Sequence, residues 1–168
     1  MPTVQRLDEA VSECQRATGS LDEGDAAAWN NLGFLLLAAD RPAEGLEAAQ
    51  KAVQLDASQP RYRNNLGMAL AAVGREQQAY KALQSTMSRA DAAYMVGLSI
   101  ERYHGLDAAR PWYEKALDLD PNHAQAKDSL AALTVGVPAA VPTAPNATAP
   151  NPQEADPGER PAPPQEDP

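Results

Sequence analysis

The sequence predicts an all-α chain, a solenoid of about three helical hairpins stacked side by side. Asn-Asn-Leu-Gly occurs at residues 30–33 and again at 64–67, 34 residues apart, and a period in the thirties marks helical repeats. Apolar residues around the copies, such as Trp29, Leu32 and Leu36, recur at three and four, the spacing of one helix face. A second marker, Gly45, Ala79 and Ala109, follows the pairs Leu32-Gly33, Leu66-Gly67 and Val96-Gly97 in one register.

The chain has 168 residues, 14 Lys and Arg against 23 Asp and Glu, and 43% hydrophobic residues. That suits one domain, residues 1–134, with something appended. A net charge of −9 leaves no basic stripe for phosphates, so a nucleic-acid partner is set aside. "MPTVQRLDEAV" holds no signal-peptide apolar core, and no later stretch approaches the apolar length of a membrane span. The expectation is therefore a cytoplasmic chain by default, with no membrane insertion and a monomeric state. Cys14 is the only cysteine, so no internal disulfide can form. Residues 135–168 contain ten of the fifteen prolines, and Val135, Val137 and Val141 are their only aliphatic side chains larger than Ala. The expectation there is a disordered acidic tail.

Taken in order, residues 3–18 read as half a repeat. Val4, Leu7, Val11 and Cys14 follow spacings of three, four and three, one face to lie over the first full hairpin as a lid. Ala10, Cys14 and Ala17 fill the small slots. The first repeat, 26–59, carries Trp29, Leu32, Gly33 and Leu36, then Gly45, Ala49 and Ala52. Glycine costs roughly 1 kcal/mol against alanine inside a helix, so Gly33 and Gly45 call for a close helix approach in return. Pro42 opens the second helix of that hairpin, where its missing N–H costs nothing. The second repeat, 60–89, has Leu66, Gly67 and Leu70, then Ala79, Leu83 and Thr86, with Gly74 as a C-terminal cap between them. The third, 90–122, has Ala93, Val96, Gly97 and Ile100, then Ala109, Tyr113 and Ala116. Pro111 lies several residues into its second helix, where it can cost ~3 kcal/mol, so that helix is expected to start late or kink. Residues 123–133 complete the array as a capping helix, with Ala126, Leu130 and Leu133 on one side.

The spacing also locates a deletion. Gly33 to Gly67 is 34 residues but Gly67 to Gly97 is 30, and the second marker loses the same four. The loss lies between Ala79 and Gly97. Four residues are about one helical turn, which keeps the apolar face nearly in phase, so the second helix of repeat two is expected to be short.

These slots resemble the tetratricopeptide repeat (TPR), with its W-x2-L-G-x2-Y…A-x3-F…A…P skeleton over two antiparallel helices. "AWNNLGFLL", "AEGLEAAQKAVQLD" and "ARPWYEKALDLDPNHAQA" carry the likeness best. Gly45, Ala49, Leu83, Arg63 and Ala93 depart from the pattern. The resemblance spans about residues 6–133 and implies a right-handed α-α superhelix whose first helices line a concave groove. In such a groove would stand Asn30, Phe34 and Leu37, with Asn31 beside them; then Arg61, Asn64, Met68 and Ala71, with Asn65; then Asp91, Tyr94, Leu98 and Arg102. The expected partner is another protein, bound through an extended or helical segment. Asn30 and Asn64 would either bond a peptide backbone or bond only neighbouring helices. Similarly, Phe34, Met68 and Tyr94 would meet partner side chains or pack between repeats. The Lys of the chaperone-tail clamp is missing from its slot, so that ligand is rejected, although Arg61 and Arg102 leave some attraction for an acidic segment. The stretch from Tyr62 to Leu133, with its shortened middle repeat, is also similar to bacterial TPR proteins of Flp (tight-adherence) pilus assembly. Such relatives are often lipoproteins, and no lipobox is present here.

Chemistry is not expected. His104 and His123 sit at a turn and a helix start, outside any metal-spaced pair. Cys14 occupies a packing slot without an obvious His partner, which reads as a buried structural thiol. Asp118 and Asp120 read as solvated charges. No phosphate loop, nucleophile elbow or zinc signature occurs. The sequence thus predicts no enzyme, no cofactor and no metal. The leading reading is a binding module or assembly adaptor. Two alternatives are a scaffold whose tail occupies its own groove, and end-to-end stacking.

Overall fold

The computed structural model of the chain describes residues 2–20 and 24–135, with side chains placed at 6, 8–16 and 24–132. Eight helices and no strand occur among them. The helices are α1 (Pro2–Ser20), α2 (Ala26–Ala38), α3 (Pro42–Leu55), α4 (Pro60–Ala72), α5 (Glu76–Leu83), α6 (Arg89–His104), α7 (Leu106–Leu119) and α8 (Ala124–Val135). Three hairpins, α2 with α3, α4 with α5 and α6 with α7, pack in series between α1 and α8. This is the fold class expected from the sequence.

The starts of the helices follow from local chemistry. Asp25 caps α2 by accepting from the N–H groups of Ala27 and Ala28 at 2.9 and 3.0 Å, and Ser88 caps α6 by accepting from Asp91 N at 3.1 Å. These bonds satisfy donors that a helix leaves open. Pro42 and Pro60 stand in the first turns of α3 and α4. Between hairpin helices the chain turns at positive φ, 77° at Gly74 and 89° at Gly105; the first turn uses Asp40 at 61°, the only described non-glycine there.

The core is nearly continuous. One cluster runs from Leu37 and Leu46 through Leu70, Leu83, Val96, Ile100 and Tyr113 to Ala126. A smaller one joins Val11 of α1, which is 0% exposed, to Leu32, Leu36 and Ala48, with Cys14 and Trp29 at its edge. Val11 is thus the peg by which α1 covers the first hairpin. Cys14 corrects the expectation of full burial, because its thiol is only partly covered; burial, then Glu13, pushes that thiol above its ordinary value. The side chains of Val4, Leu7, Ala17 and Leu133, and the expected tail, lie outside the described residues.

The short helix is found at α5, with 8 residues against 14 in both α3 and α7. The late start of the last hairpin's second helix is not found. α7 begins at Leu106 with Pro111 inside it, on an exposed position early in the helix, where the ring disturbs only one backbone bond.

Candidate functional site

The first helices of the hairpins, α2, α4 and α6, carry the expected face. Phe34, Met68 and Leu98 occupy the same slot in the three helices, and all three are only partly buried. Met68 and Leu98 lean on the large core cluster. Asn31, Asp91 and Arg102 are exposed, while Arg61, Asn64, Asn65 and Tyr94 are partly buried. Three expected members are not open. Leu37 (7% exposed) and Ala71 (0%) belong to the core, and Asn30 is 2% exposed.

The amides bond between helices. Asn65 Nδ2 donates to Asn30 Oδ1 at 2.7 Å, joining α4 to α2. Asn64 Oδ1 accepts from the Thr86 hydroxyl, whose oxygen also lies 2.9 Å from the Leu83 carbonyl. A buried amide carries a desolvation penalty unless it is bonded, so Asn30 and Asn65 stitch the first repeat to the second, while Asn64 ties α4 to the turn after α5 within one repeat. Asn31 Oδ1, 3.5 Å from Asn30 Nδ2, is left on the exposed side.

The two arginines expected to attract acid are placed differently. Arg61 lies over the Tyr62 ring, 5.6 Å from its centroid. Arg102 is turned back on α2: its Nη2 lies 3.2 Å from the Ala38 carbonyl, 3.4 Å from that of Leu37 and 3.9 Å from an Asp40 oxygen. Its charge therefore sits at the negative end of α2, committed within the fold.

At the far end Asp91 and Tyr94 meet α8. The Asp91 carboxylate accepts from Ser88 Oγ at 2.6 Å and lies 3.3 Å from His123 Nε2. His123 Nδ1 accepts from Ala126 N at 3.2 Å, capping α8. The Tyr94 ring sits 5.0 Å from the His123 ring and 5.8 Å from that of Tyr113. Tyr113 donates to Glu101. Burial, then Glu101, drives its hydroxyl far above the ordinary phenol value. Burial also raises Tyr94 and Tyr103, opposed at Tyr103 by Arg102.

One cluster on the outer side was missed by sequence reasoning. Trp112 Nε1 donates to Glu76 Oε2 at 2.7 Å, the Tyr80 and Trp112 rings are 5.4 Å apart, and Lys115 Nζ lies 3.7 Å above the former ring and 4.4 Å from the latter. Only Trp112 and Lys115, three apart on one helix, hinted at it. Among the described residues no group of three or more His, Cys, Asp or Glu could hold a metal, and no helix is long and apolar enough to cross a membrane.

Comparison with known proteins fits this geometry. Residues 106–123, α7 and the turn after it, match the family model described as tetratricopeptide repeat. The solved structure of MamA is 26% identical, covers 81% of this chain and 82% of its own, and superposes with a TM-score of 0.54. A second MamA structure is also 26% identical, covers 81% of this chain and 77% of its own, and has a TM-score of 0.54. YrrB, described as a TPR protein with an unusual peptide-binding site, is 24% identical over 76% of this chain and 67% of its own, with a TM-score of 0.57. No curated protein sequence matches the chain.

Proposed function

From a chain folded as a tetratricopeptide-repeat array, we propose a non-enzymatic protein-interaction module or assembly adaptor that holds a short segment of a partner protein on its concave face. One observation carries the reading: Phe34, Met68 and Leu98, in the same slot of three successive helices, keep apolar surface partly in water, where packing alone would bury it. The peptide-binding site of YrrB, a protein of similar fold, supports it. Asn31 and Arg61 would supply polar contacts at the rim. So small a face implies a Kd on the order of micromolar. The likeness to TPR proteins of tight-adherence pilus assembly makes bacterial pilus or secretion-system assembly the proposed setting.

The test is co-purification followed by mass spectrometry with three forms of the chain: wild type, Phe34→Ala with Met68→Ala, and a control, Leu55→Ala, on the outer side. Loss of a partner from the double variant alone supports the face. Equal capture by all three removes it. In the alternative, a self-regulated scaffold whose tail (135–168) fills the groove, Arg61 would receive the tail carboxylates, since Arg102 is engaged by α2. Partner affinity unchanged on deleting residues 136–168 removes that alternative.

A further inference from the structure

The concave face carries a set of contacts that skip a repeat. In a stacked array each hairpin touches its neighbours, so α4 should separate α2 from α6. Yet Tyr103 Oη donates to the Leu37 carbonyl at 2.6 Å, and Arg102 bonds the carbonyls of Leu37 and Ala38. The same end of α6 also reaches α4: Ser99 Oγ donates to the Met68 carbonyl at 2.8 Å, and His104 Nε2 lies 2.9 Å from that of Ala72. A bridge from α6 to α2 must cross the side of α4 that α5 does not cover, which is the concave side. At that end of α4 stand Ala71 and Ala72, both buried. The alanines are small enough to let α6 descend.

The bridge lands on the negative end of α2, which has no basic residue in its last turn. The Leu37 carbonyl already accepts from Asp40 N at 3.2 Å, and Arg102 and Tyr103 add further donors at that end of the helix dipole. The turn that follows holds Asp40 at φ 61°, a conformation disfavoured for residues with a Cβ. Local bonds hold that turn, Asp40 N donating to the Leu37 carbonyl and Arg41 N to that of Leu36 at 2.9 Å, and Tyr103 meets the same Leu37 carbonyl from two repeats away.

We propose that Arg102 and Tyr103 form a latch that closes one end of the concave face. With the latch shut, a partner segment is confined to the end around Asn31, Phe34 and Met68. With it open, Ala71 joins the surface and a longer segment fits, while Leu37 stays packed against Gly45 of α3. The consequence for partners rests on the reading given under Proposed function, but the latch needs no partner to be observed.

The experiment uses the full chain carrying Cys14→Ser, with Ala71→Cys as reporter under the latch and, in a separate protein, Ala116→Cys as reporter in the core of the third hairpin. Maleimide labelling rates are compared with and without Tyr103→Phe, which removes one hydroxyl and leaves the ring. Loss of one hydrogen bond is expected to speed labelling at the Ala71 site about fivefold, more with Arg102→Gln added, while the Ala116 site is unchanged. Hydrogen exchange at amides 38–41, in a chain without either reporter, reads the same opening and guards against disturbance by the introduced thiol. Unchanged exchange and labelling on Tyr103→Phe overturn the latch, and so does an equal rise at both reporters, which would mean general loosening. A latch that opens in a chain whose face captures no partner sinks the binding reading alone.

Discussion

The first and third hairpins contain the same small step in their first helices and use it for different purposes. At Gly33 an added Cβ would lie 3.1 Å from Ala49 N and 3.2 Å from the Gly45 carbonyl, so two backbones are in contact. At Gly97 it would lie 2.6 Å from Cε1 of Tyr113, so the missing side chain is a seat for a ring. A repeated glycine therefore does not imply a repeated geometry. The partner on the opposite helix decides. The choice of tyrosine has a further effect, since a buried hydroxyl needs an acceptor, and the third hairpin supplies Glu101 where the first needs nothing.

That contrast can be broken in several ways. The largest effect is expected from pH. The first hairpin contains no tyrosine, whereas Tyr94, Tyr103 and Tyr113 of the third are all raised. A raised phenol lends stability that is complete below its ordinary value of about 10 and is lost as pH climbs toward the folded value. The third hairpin should open first in alkali. Trp29 and Trp112, one in each hairpin, report this separately by fluorescence in single-tryptophan variants, and simultaneous loss at both would erase the distinction.

Next in size, Gly97→Ala should cost about 2 kcal/mol in urea unfolding, the overpacking penalty less the gain in helix propensity. Pro111→Ala should act in the opposite direction, raising stability by about 1–2 kcal/mol through the restored backbone bond; an unchanged midpoint would mean that α7 already accommodates the ring without loss. Smallest is Gly33→Ala. Its contacts ask for a shift of only a few tenths of an ångström, and the propensity gain should leave the change within about 1 kcal/mol. A loss as large as that at Gly97 would show the two glycines to be equivalent after all.

The architecture was legible because it rests on local spacing. The Leu-Gly and small-residue markers fix helix faces, and their joint slip of four residues points to α5 by itself. The face was less legible. Leu37 is closed by Gly45 of the facing helix, and Arg102 and Tyr103 meet the end of α2 across 64–66 residues of sequence. Periodicity carries no information about contacts that skip a repeat. Asn30 and Asn64 were readable as polar groove residues or as stitching, and only the position of Asn65 shows a bond between helices. The cluster of Glu76, Tyr80, Trp112 and Lys115 escaped for a related reason, since it joins two outer helices in slots that the repeat leaves variable. At Pro111 the expectation of a late start failed, since α7 already runs from Leu106 with the proline inside it, its ring at an exposed position.

Val11, the buried member among the described side chains of α1, has a practical consequence. A chain lacking residues 2–20 would hand Leu32, Leu36 and Ala48 to solvent while keeping every hairpin intact. Adhesion between molecules, seen as turbidity or poor recovery, would precede any loss of helix, so the opening helix acts on colloidal behaviour more than on shape.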